Sequence, residues 1–210
     1  MNEAVKKISE LKLIPVVKIE DPKDALPLGQ ALLDGGLPAA EITFRTEAAE
    51  ESIRSLVKNK PDLFVGAGTV LTVEQIKRAV GAGASFIVTP GFNPKVVDYC
   101  VANNIPITPG INSPTQVEMA LDRGVKYVKF FPAEISGGLK MIKALSAPYT
   151  EVRFMPTGGI NISNIKDYLA FPKVFACGGS WMVKADYISK GNFSEITRLT
   201  KEAVDLINKG

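Results

Sequence analysis

Short apolar segments alternate with longer segments in which apolar residues recur at helical spacing, and this alternation continues along almost the whole chain. The apolar segments indicate buried β-strands, and the amphipathic segments indicate helices that cover them. The pattern therefore predicts an α/β protein built on parallel strands. The predicted strands are residues 13–19, 40–44, 64–68, 85–89, 105–108, 127–131, 153–157 and 174–177.

Eight strand–helix units without a break in composition predict a (β/α)8 barrel (TIM barrel) that fills a single domain over residues 1–210. A short helix at 2–10 precedes the first strand. A doubly wound open sheet is the alternative, and it is less favoured because no Gly-x-Gly-x-x-Gly sequence follows the first strand. A barrel builds its active site at the carboxyl ends of its strands, so we expect the functional residues there.

The sixth predicted strand carries a lysine, Lys129, between aromatic and aliphatic residues. Because side chains alternate along a strand, Tyr127, Lys129 and Phe131 share one face. Apolar surroundings disfavour a charged ammonium, and a neutral lysine amine can attack a ketone to form a Schiff base. A lysine paired with a carboxylate, or one that reaches solvent from the strand end, is the structural alternative.

Three polar residues at alternate positions end the second predicted strand, namely Glu41, Thr43 and Arg45. Their apolar neighbours Ile42 and Phe44 suit a contact with the helices, so we expect the polar face to point into the barrel mouth. A carboxylate there can transfer protons, and a guanidinium can bind a substrate carboxylate. A structural Glu41–Arg45 ion pair is the alternative.

Two glycine clusters, residues 157–161 and 178–181, follow the last two predicted strands. Barrels commonly bind phosphate at these two loops, where backbone N–H groups point at the anion. The hydroxyl of Ser180 adds a donor. Each cluster alone is compatible with a tight turn, but the two together predict a phosphate site.

The chain contains no histidine, which excludes Ser-His triads, histidine metal sites and histidine acid–base catalysis. Cys100 and Cys177 have no metal-ligand spacing and fit reduced thiols, which favours a cytoplasmic location. The net charge of +3 is spread along the chain, so nucleic acid is not an expected partner. No apolar run is long enough for a signal peptide or a membrane span, so we expect no membrane partner.

The order and spacing of six sequence blocks resemble one family closely, the 2-keto-3-deoxy-6-phosphogluconate (KDPG) aldolases, which are also active on 4-hydroxy-2-oxoglutarate (KHG). The resemblance covers nearly the whole chain. The blocks are Glu41-Ile42-Thr43-Phe44-Arg45-Thr46, Gly66-Ala67-Gly68-Thr69-Val70, Phe86-Ile87-Val88-Thr89-Pro90-Gly91-Phe92, Lys129-Phe130-Phe131-Pro132-Ala133-Glu134, Pro156-Thr157-Gly158-Gly159-Ile160 and Gly178-Gly179-Ser180-Trp181.

The resemblance implies a class I aldolase that needs neither a metal nor another cofactor and acts on a phosphorylated 2-keto acid. Lys129 matches the Schiff-base lysine of this family and Glu41 its general acid/base. Arg45 and Thr69 match groups that hold the carboxylate of the pyruvyl part. Other matches are in the pyruvyl pocket (Pro90, Phe131 and Thr157) or the phosphate site (Gly158, Gly159, Gly179 and Ser180). The resemblance also implies a homotrimer.

One position departs from part of the family. Lys18 stands late in the first strand, where many members have an arginine and others an apolar residue. Lysine offers a point charge instead of a bidentate fork, so Lys18 is an additional candidate for the phosphate site. A galactonate-derived substrate is an open alternative within the family.

Two other functions compete with the aldolase. An isomerase or synthase acting on another phosphorylated metabolite would need no lysine adduct. A non-catalytic barrel that binds a sugar phosphate would have no reason to keep Lys129, Glu41 and Arg45 together.

Overall fold

A computed structural model describes residues 2–209, in which nine parallel strands form two sheets. The larger sheet has the strand order β5-β4-β3-β2-β1-β9, and the smaller one has the order β6-β7-β8. The parallel strands curl into a half-barrel with helices around it. The strands are β1 (Leu13–Val17), β2 (Ala39–Thr43), β3 (Phe64–Gly68), β4 (Ile87–Val88), β5 (Ile107–Thr108), β6 (Gly110–Ile111), β7 (Tyr127–Phe130), β8 (Arg153–Pro156) and β9 (Cys177–Gly179).

Isolated bridges also connect the two sheets. Phe154 pairs with Val174, and Thr157 pairs with Gly178, so the chain around β8 meets the chain around β9 at two points. On the other side, β5 and β6 are separated by a single residue, Pro109, which cannot donate a backbone hydrogen bond. The fifth predicted strand at 105–108 is shorter in the structure, where β5 covers only its second half, and β6 follows as a further strand outside the predicted range.

The last strand lies later in the chain than its predicted position at 174–177. It pairs through Cys177, Gly178 and Gly179 with the first three residues of β1. The two glycines were expected in a loop after the strand, but they are part of it and are buried. Hydrogen bonding to β1 decides this, and the apolar pattern of the sequence does not carry that information.

Helices cover the strands, and the polar residues at several helix starts cap them. The side chains of Asn2, Thr72 and Ser113 each accept a hydrogen bond from a backbone N–H of the first turn. The helices are α1 (Glu3–Leu11), α2 (Ala25–Asp34), α3 (Ala49–Asn59), α4 (Val73–Gly81), α5 (Pro94–Ala102), α6 (Pro114–Leu121), α7 (Gly138–Ser146), α8 (Ile165–Leu169), α9 (Ala185–Ser189) and α10 (Phe193–Asn208).

Helix α1 packs against the interior of the strand layer near its amino end. Ile8 of α1 belongs to a buried cluster with Ile14, Phe86 and Met155. These four residues come from four different parts of the fold. This apolar cluster fills the interior there, so the polar interior positions lie nearer the carboxyl ends of the strands. Within residues 2–209, no helix is both long enough and apolar enough to cross a bilayer.

Candidate active site

A cavity of about 500 Å³ lies at the carboxyl ends of β1, β2, β8 and β9. Its wall combines aliphatic residues, glycines and hydroxyl groups with three cationic side chains. The residues around it are Val16, Val17, Lys18, Thr43, Arg45, Phe131, Thr157, Gly158, Gly159, Ile160, Gly178, Ser180, Val183, Lys184 and Ala185.

A buried ion pair joins β7 to β2 next to this cavity. The Nζ of Lys129 lies 3.4 Å from Oε1 of Glu41, and the two side chains are 4% and 0% exposed. The Lys129 ammonium also lies over the ring of Phe131, 5.2 Å from its centroid, and Phe131 is part of the cavity wall. The amine and the carboxylate are therefore held together beside the cavity, with Phe131 between the pair and the cavity wall.

One carboxylate oxygen of Glu41 has no hydrogen-bond partner among the described residues. Its Oε2 is buried and accepts no hydrogen bond from any residue in 2–209. Such an oxygen normally costs about 1–3 kcal/mol, and it rarely persists in a core without a role. The carboxylate reaches this place because Gly68 on β3 leaves room, since a Cβ there would lie 2.1 Å from Oε1.

Two threonines complete the wall between the ion pair and solvent. Thr43 donates its hydroxyl to the Val17 carbonyl at 2.8 Å, which links the ends of β2 and β1. Thr157 lies against Gly178, where a Cβ would approach its Oγ1 to 2.3 Å. Both are buried hydroxyl residues at the end of a strand, so they place polar atoms where a bound ligand would contact them.

Arg45 forms no ion pair with Glu41 and is held by Thr69. Its Nε donates to Thr69 Oγ1 at 3.2 Å, and the guanidinium is in an exposed position on the cavity rim. Thr69 has a φ of 54°, which is strained for a β-branched residue and costs on the order of 1 kcal/mol or more. The contact between Glu41 and Arg45 that the sequence suggested as an alternative is not formed, because Glu41 pairs with Lys129 instead.

The loop after β8 is fixed from behind by the loop after β7. Gly158 and Gly159 have φ values of 97° and 83°, a conformation that favours glycine. Backbone N–H groups of Ala133 and Glu134 donate to the carbonyls of Thr157 and Gly158. The side chain of Glu134 lies against Gly159, where a Cβ would be 2.4 Å from its Cγ.

Glu134 is itself held by a residue that the sequence did not single out. The buried Tyr168 of α8 donates its hydroxyl to Oε1 of Glu134. Burial, together with this hydrogen bond, raises the pKa of the Tyr168 hydroxyl above its usual value. The link runs from α8 through Glu134 to the backbone of the glycine loop.

The cavity wall includes seven of the twelve residues predicted for the site, namely Lys18, Arg45, Phe131, Thr157, Gly158, Gly159 and Ser180. Lys129, Glu41 and Thr69 are not part of the wall but contact it through Phe131 or Arg45. The other two predicted residues lie apart from it. Gly179 pairs with Pro15 under the ring of Trp181 and does not line the cavity, whereas its neighbour Gly178 does. Pro90 lies outside the wall and packs its carbonyl group against Gly110. Lys184, which had no predicted role, is part of the wall because a short 3-10 turn (Trp181–Val183) follows Ser180 and brings it there.

The acidic and thiol side chains of the described residues do not form a metal site. Among residues 2–209, no cluster of three or more Cys, Asp or Glu side chains could hold a metal ion. Cys100 and Cys177 are buried and unpaired, and burial raises the pKa of both thiols, that of Cys100 to about 12. They are protonated and shielded at neutral pH.

The sequence matches the family model described as KDPG and KHG aldolase over residues 4–199. A curated relative from Haemophilus influenzae, named 2-dehydro-3-deoxy-phosphogluconate aldolase, is 53% identical over 206 residues. This alignment covers 98% of the present chain and 97% of the relative. The similarity therefore extends through every strand and helix that contributes to the cavity.

Two solved structures have the same fold over nearly their full length. The KDPG aldolase of Legionella pneumophila, with pyruvate captured as a covalent carbinolamine intermediate, has a TM-score of 0.92 and 38% identity, and the match covers 96% of this chain and 98% of that one. The aldolase of Zymomonas mobilis with 3-phosphoglycerate has a TM-score of 0.90 and 39% identity, with coverages of 95% and 94%.

Proposed function

This chain belongs to the KDPG and KHG aldolase family, and from that premise we propose that it cleaves KDPG to pyruvate and glyceraldehyde 3-phosphate through a Schiff base on Lys129. It would also cleave KHG. The observation that carries the proposal is the buried pair of a lysine amine and a carboxylate, 3.4 Å apart, which adjoins the cavity through Phe131. The carbinolamine captured in the Legionella pneumophila relative is the first intermediate that such a pair would form.

In the first half of the reaction, the Lys129 amine attacks the C2 ketone of the substrate and gives a carbinolamine. Glu41 makes this attack possible because it first accepts a proton from the Lys129 ammonium. During the attack it passes that proton to the ketone oxygen and takes one from the nitrogen. It then gives this second proton to the carbinolamine hydroxyl, which leaves as water. The product is an iminium, whose positive nitrogen can accept an electron pair from the adjacent bonds. The 3.4 Å separation lets one carboxylate serve these transfers.

In the second half, Glu41 accepts the proton of the C4 hydroxyl, directly or through one water. The C3–C4 bond breaks, its electron pair moves to the iminium to give an enamine, and glyceraldehyde 3-phosphate leaves. The proton on Glu41 then goes to C3 of the enamine. Hydrolysis of the resulting iminium releases pyruvate and restores the amine. A single carboxylate that both accepts and donates protons is consistent with a chain that has no histidine.

The two ends of the substrate fit different parts of the cavity. Arg45, oriented by Thr69, would bind the carboxylate of the pyruvyl part, and Thr157 and Phe131 would line that part. The phosphate would lie at the backbone of Gly158 and Gly159 and the Ser180 hydroxyl. Both glycines and Ser180 line the cavity, and the positive φ values of the glycines leave their backbone accessible there without a Cβ, which supports this assignment. For Pro90, Gly179 and Lys18, a role in the site stays a prediction.

We propose that the two sheets close into one (β/α)8 barrel and that the chain is a single domain. The bridges at Phe154–Val174 and Thr157–Gly178, and the near-continuity of β5 and β6 across Pro109, support a closed arrangement. The homotrimer implied by the family resemblance and the cytoplasmic location also stay proposals. Gel filtration with light scattering would measure the number of subunits.

The test of the proposed function is covalent trapping. Purified protein is incubated with pyruvate and borohydride, and the intact mass is measured for wild type, Lys129→Ala and Lys126→Ala. Lys126 is the control, because it is exposed and paired with Glu151 outside the cavity. We expect a reduced pyruvyl adduct on the wild type and the control but not on Lys129→Ala. An adduct that persists on Lys129→Ala would place the Schiff base elsewhere, and no adduct on any protein would reject the class I mechanism.

A further inference from the structure

The wall of the cavity is positively charged. Lys18, Arg45 and Lys184 are all part of it, and none of its fifteen residues is an aspartate or a glutamate. A cleft lined by one sign of charge concentrates ligands of the opposite sign and strengthens their binding. The substrate of the proposed reaction has a carboxylate at one end and a phosphate at the other, so the three cations can bind two anionic groups.

Two of the three cations already have partners within the protein. Arg45 donates to Thr69 at the corner of β2 and β3. Lys18 forms an ion pair with Glu20, with Nζ 2.5 Å from Oε1, so a neighbouring carboxylate offsets much of its charge. The remaining N–H groups of Arg45 are assigned to the carboxylate of the pyruvyl part, and Glu20 leaves Lys18 with less charge to offer a further anion.

Lys184 differs from Lys18 because its ammonium forms no ion pair, and it differs from Arg45 because no group of the substrate is yet assigned to it. No carboxylate within residues 2–209 lies within 4.0 Å of its Nζ, which lies 5.6 Å from the ring centroid of Tyr187. Its side chain is exposed at the cavity wall. An unpaired lysine keeps three donors and a full charge available for a ligand.

Lys184 follows the same strand as the proposed phosphate donor Ser180. The 3-10 turn Trp181–Val183 separates the two residues and packs against β1. Gly159, on the neighbouring loop after β8, shares the cavity wall with both of them. The position of Lys184 is therefore on the phosphate side of the cavity, among donors that are otherwise neutral.

We propose that Lys184 is a specificity-determining residue whose ammonium binds the phosphate of the substrate and sets the preference for KDPG over KHG. The inference rests on the proposed function, since it concerns the same cavity. A phosphate monoester carries about −1.5 to −2 charges at pH 7, which backbone N–H groups and a hydroxyl solvate but do not neutralise. KHG ends in a carboxylate close to the cleaved bond and has no phosphate, so it does not reach this lysine.

The two substrates provide an internal comparison, because both react through the same amine and the same carboxylate. We expect Lys184→Met to lower kcat/KM for KDPG about 10- to 100-fold, mainly through KM, as for the loss of a charge-assisted hydrogen bond. The effect on KHG should be less than about twofold, since no contact is lost. Lys184→Arg keeps the charge and should recover most of the preference.

Lys190→Met is the matched control. Lys190 is an exposed lysine six positions further on, paired with Asp186, and it is not part of the cavity wall. Its removal lowers the net charge of the protein by the same amount, so the control separates a local contact from a general field effect. We expect its kcat/KM values for both substrates to match those of the wild type.

Binding without turnover keeps the inference separate from the proposed function. Calorimetric titration of 3-phosphoglycerate should show about 10-fold weaker binding to Lys184→Met than to the wild type. Pyruvate trapping by borohydride should be the same in both. If the wild type cleaved neither substrate but this difference in binding remained, the aldolase would be rejected and Lys184 retained as a phosphate ligand.

Two results would overturn the role of Lys184. Equal losses for KDPG and KHG in Lys184→Met would mean that the lysine supports the fold or the chemistry and does not discriminate. Unchanged kcat/KM for KDPG together with unchanged 3-phosphoglycerate affinity would mean that the neutral donors bind the phosphate without it.

Discussion

Glu41 and Lys129 are 88 positions apart in the chain, yet a carboxylate oxygen of one lies 3.4 Å from the amine of the other in the buried interior. A buried ion pair of this kind is not by itself a sign of catalysis, because structural pairs have the same geometry. Two further observations distinguish this one. The second oxygen of Glu41 has no hydrogen-bond partner in residues 2–209, and the pair adjoins an open cavity through Phe131.

The role of Glu41 in proton transfer can be tested with Glu41→Gln, which keeps the shape of the side chain and removes its basicity. We expect kcat for KDPG cleavage to fall about 10²- to 10⁴-fold, the usual contribution of a general acid or base. The pyruvate Schiff base should still form, more slowly than in the wild type, and be trapped by borohydride. Pyruvate release in a coupled assay measures the rate.

Glu47→Gln serves as the control for this variant, because Glu47 is fully exposed and follows the same strand. Its kinetics should equal those of the wild type. A wild-type rate in Glu41→Gln would show that another group or a water moves the protons.

The space that Gly68 leaves for Glu41 gives a second prediction. In Gly68→Ala the new methyl group would meet the carboxylate at 2.1 Å, so Glu41 must move away from Lys129. We expect kcat to fall at least about 10-fold and the free energy of unfolding to fall by about 1–3 kcal/mol, as for other overpacked interior sites. Steady-state kinetics and urea unfolding measure the two effects.

Gly81→Ala is a suitable comparison, because it ends α4 and a Cβ there meets no atom within 4 Å. Alanine favours a helix over glycine by up to about 1 kcal/mol, so this variant should be as stable as the wild type or more stable, with unchanged kinetics. Full activity in Gly68→Ala would show that the position of Glu41 is not critical.

The hydrogen bond from Tyr168 to Glu134 should support the glycine loop of the phosphate site. Tyr168→Phe keeps the buried ring and deletes the hydroxyl, so we expect a loss of about 1–3 kcal/mol in the free energy of unfolding. KM for KDPG should rise several-fold with little change in kcat, because the backbone at Gly159 is less firmly held.

Tyr149→Phe makes the same chemical change at the surface, where Tyr149 donates to Glu118 at 2.7 Å far from the cavity wall. Its KM should be that of the wild type. If Tyr168→Phe and Tyr149→Phe had the same KM, the Tyr168–Glu134 bond would be a stabilising contact without influence on the site.

The raised pKa of the Tyr168 hydroxyl predicts how stability changes with pH. In the unfolded chain a tyrosine loses its proton near pH 10, whereas the folded protein retains it to higher pH. Above about pH 10 deprotonation stabilises the unfolded state, so the free energy of unfolding decreases. The contribution of Tyr168 is complete below that pH and lost as pH rises through the folded pKa. Urea unfolding between pH 8 and pH 11 should show a steeper decline for the wild type than for Tyr168→Phe. Parallel curves for the two proteins would contradict this contribution of the Tyr168 hydroxyl.

Much of the site follows from sequence because strand periodicity fixes which side chains share a face. Alternation placed Lys129 with Phe131, and it placed Glu41 with Thr43 on the polar side of their strand, as the structure shows. The family resemblance supplied the chemistry and is confirmed by the comparisons. The parallel α/β arrangement is likewise confirmed, because apolar runs alternating with amphipathic segments leave few other ways to bury both.

Tertiary structure decided which partners these side chains find. Within one strand Glu41 and Arg45 looked equally suited to pair, but Glu41 meets Lys129 of a strand that is not its neighbour, and Arg45 meets Thr69. Likewise, hydrogen bonding to β1 drew Gly178 and Gly179 into a strand, and a short turn after Ser180 brought Lys184 to the cavity. Periodicity determines the direction of a side chain along its own strand, whereas its distance to residues far away in the chain depends on how the strands assemble.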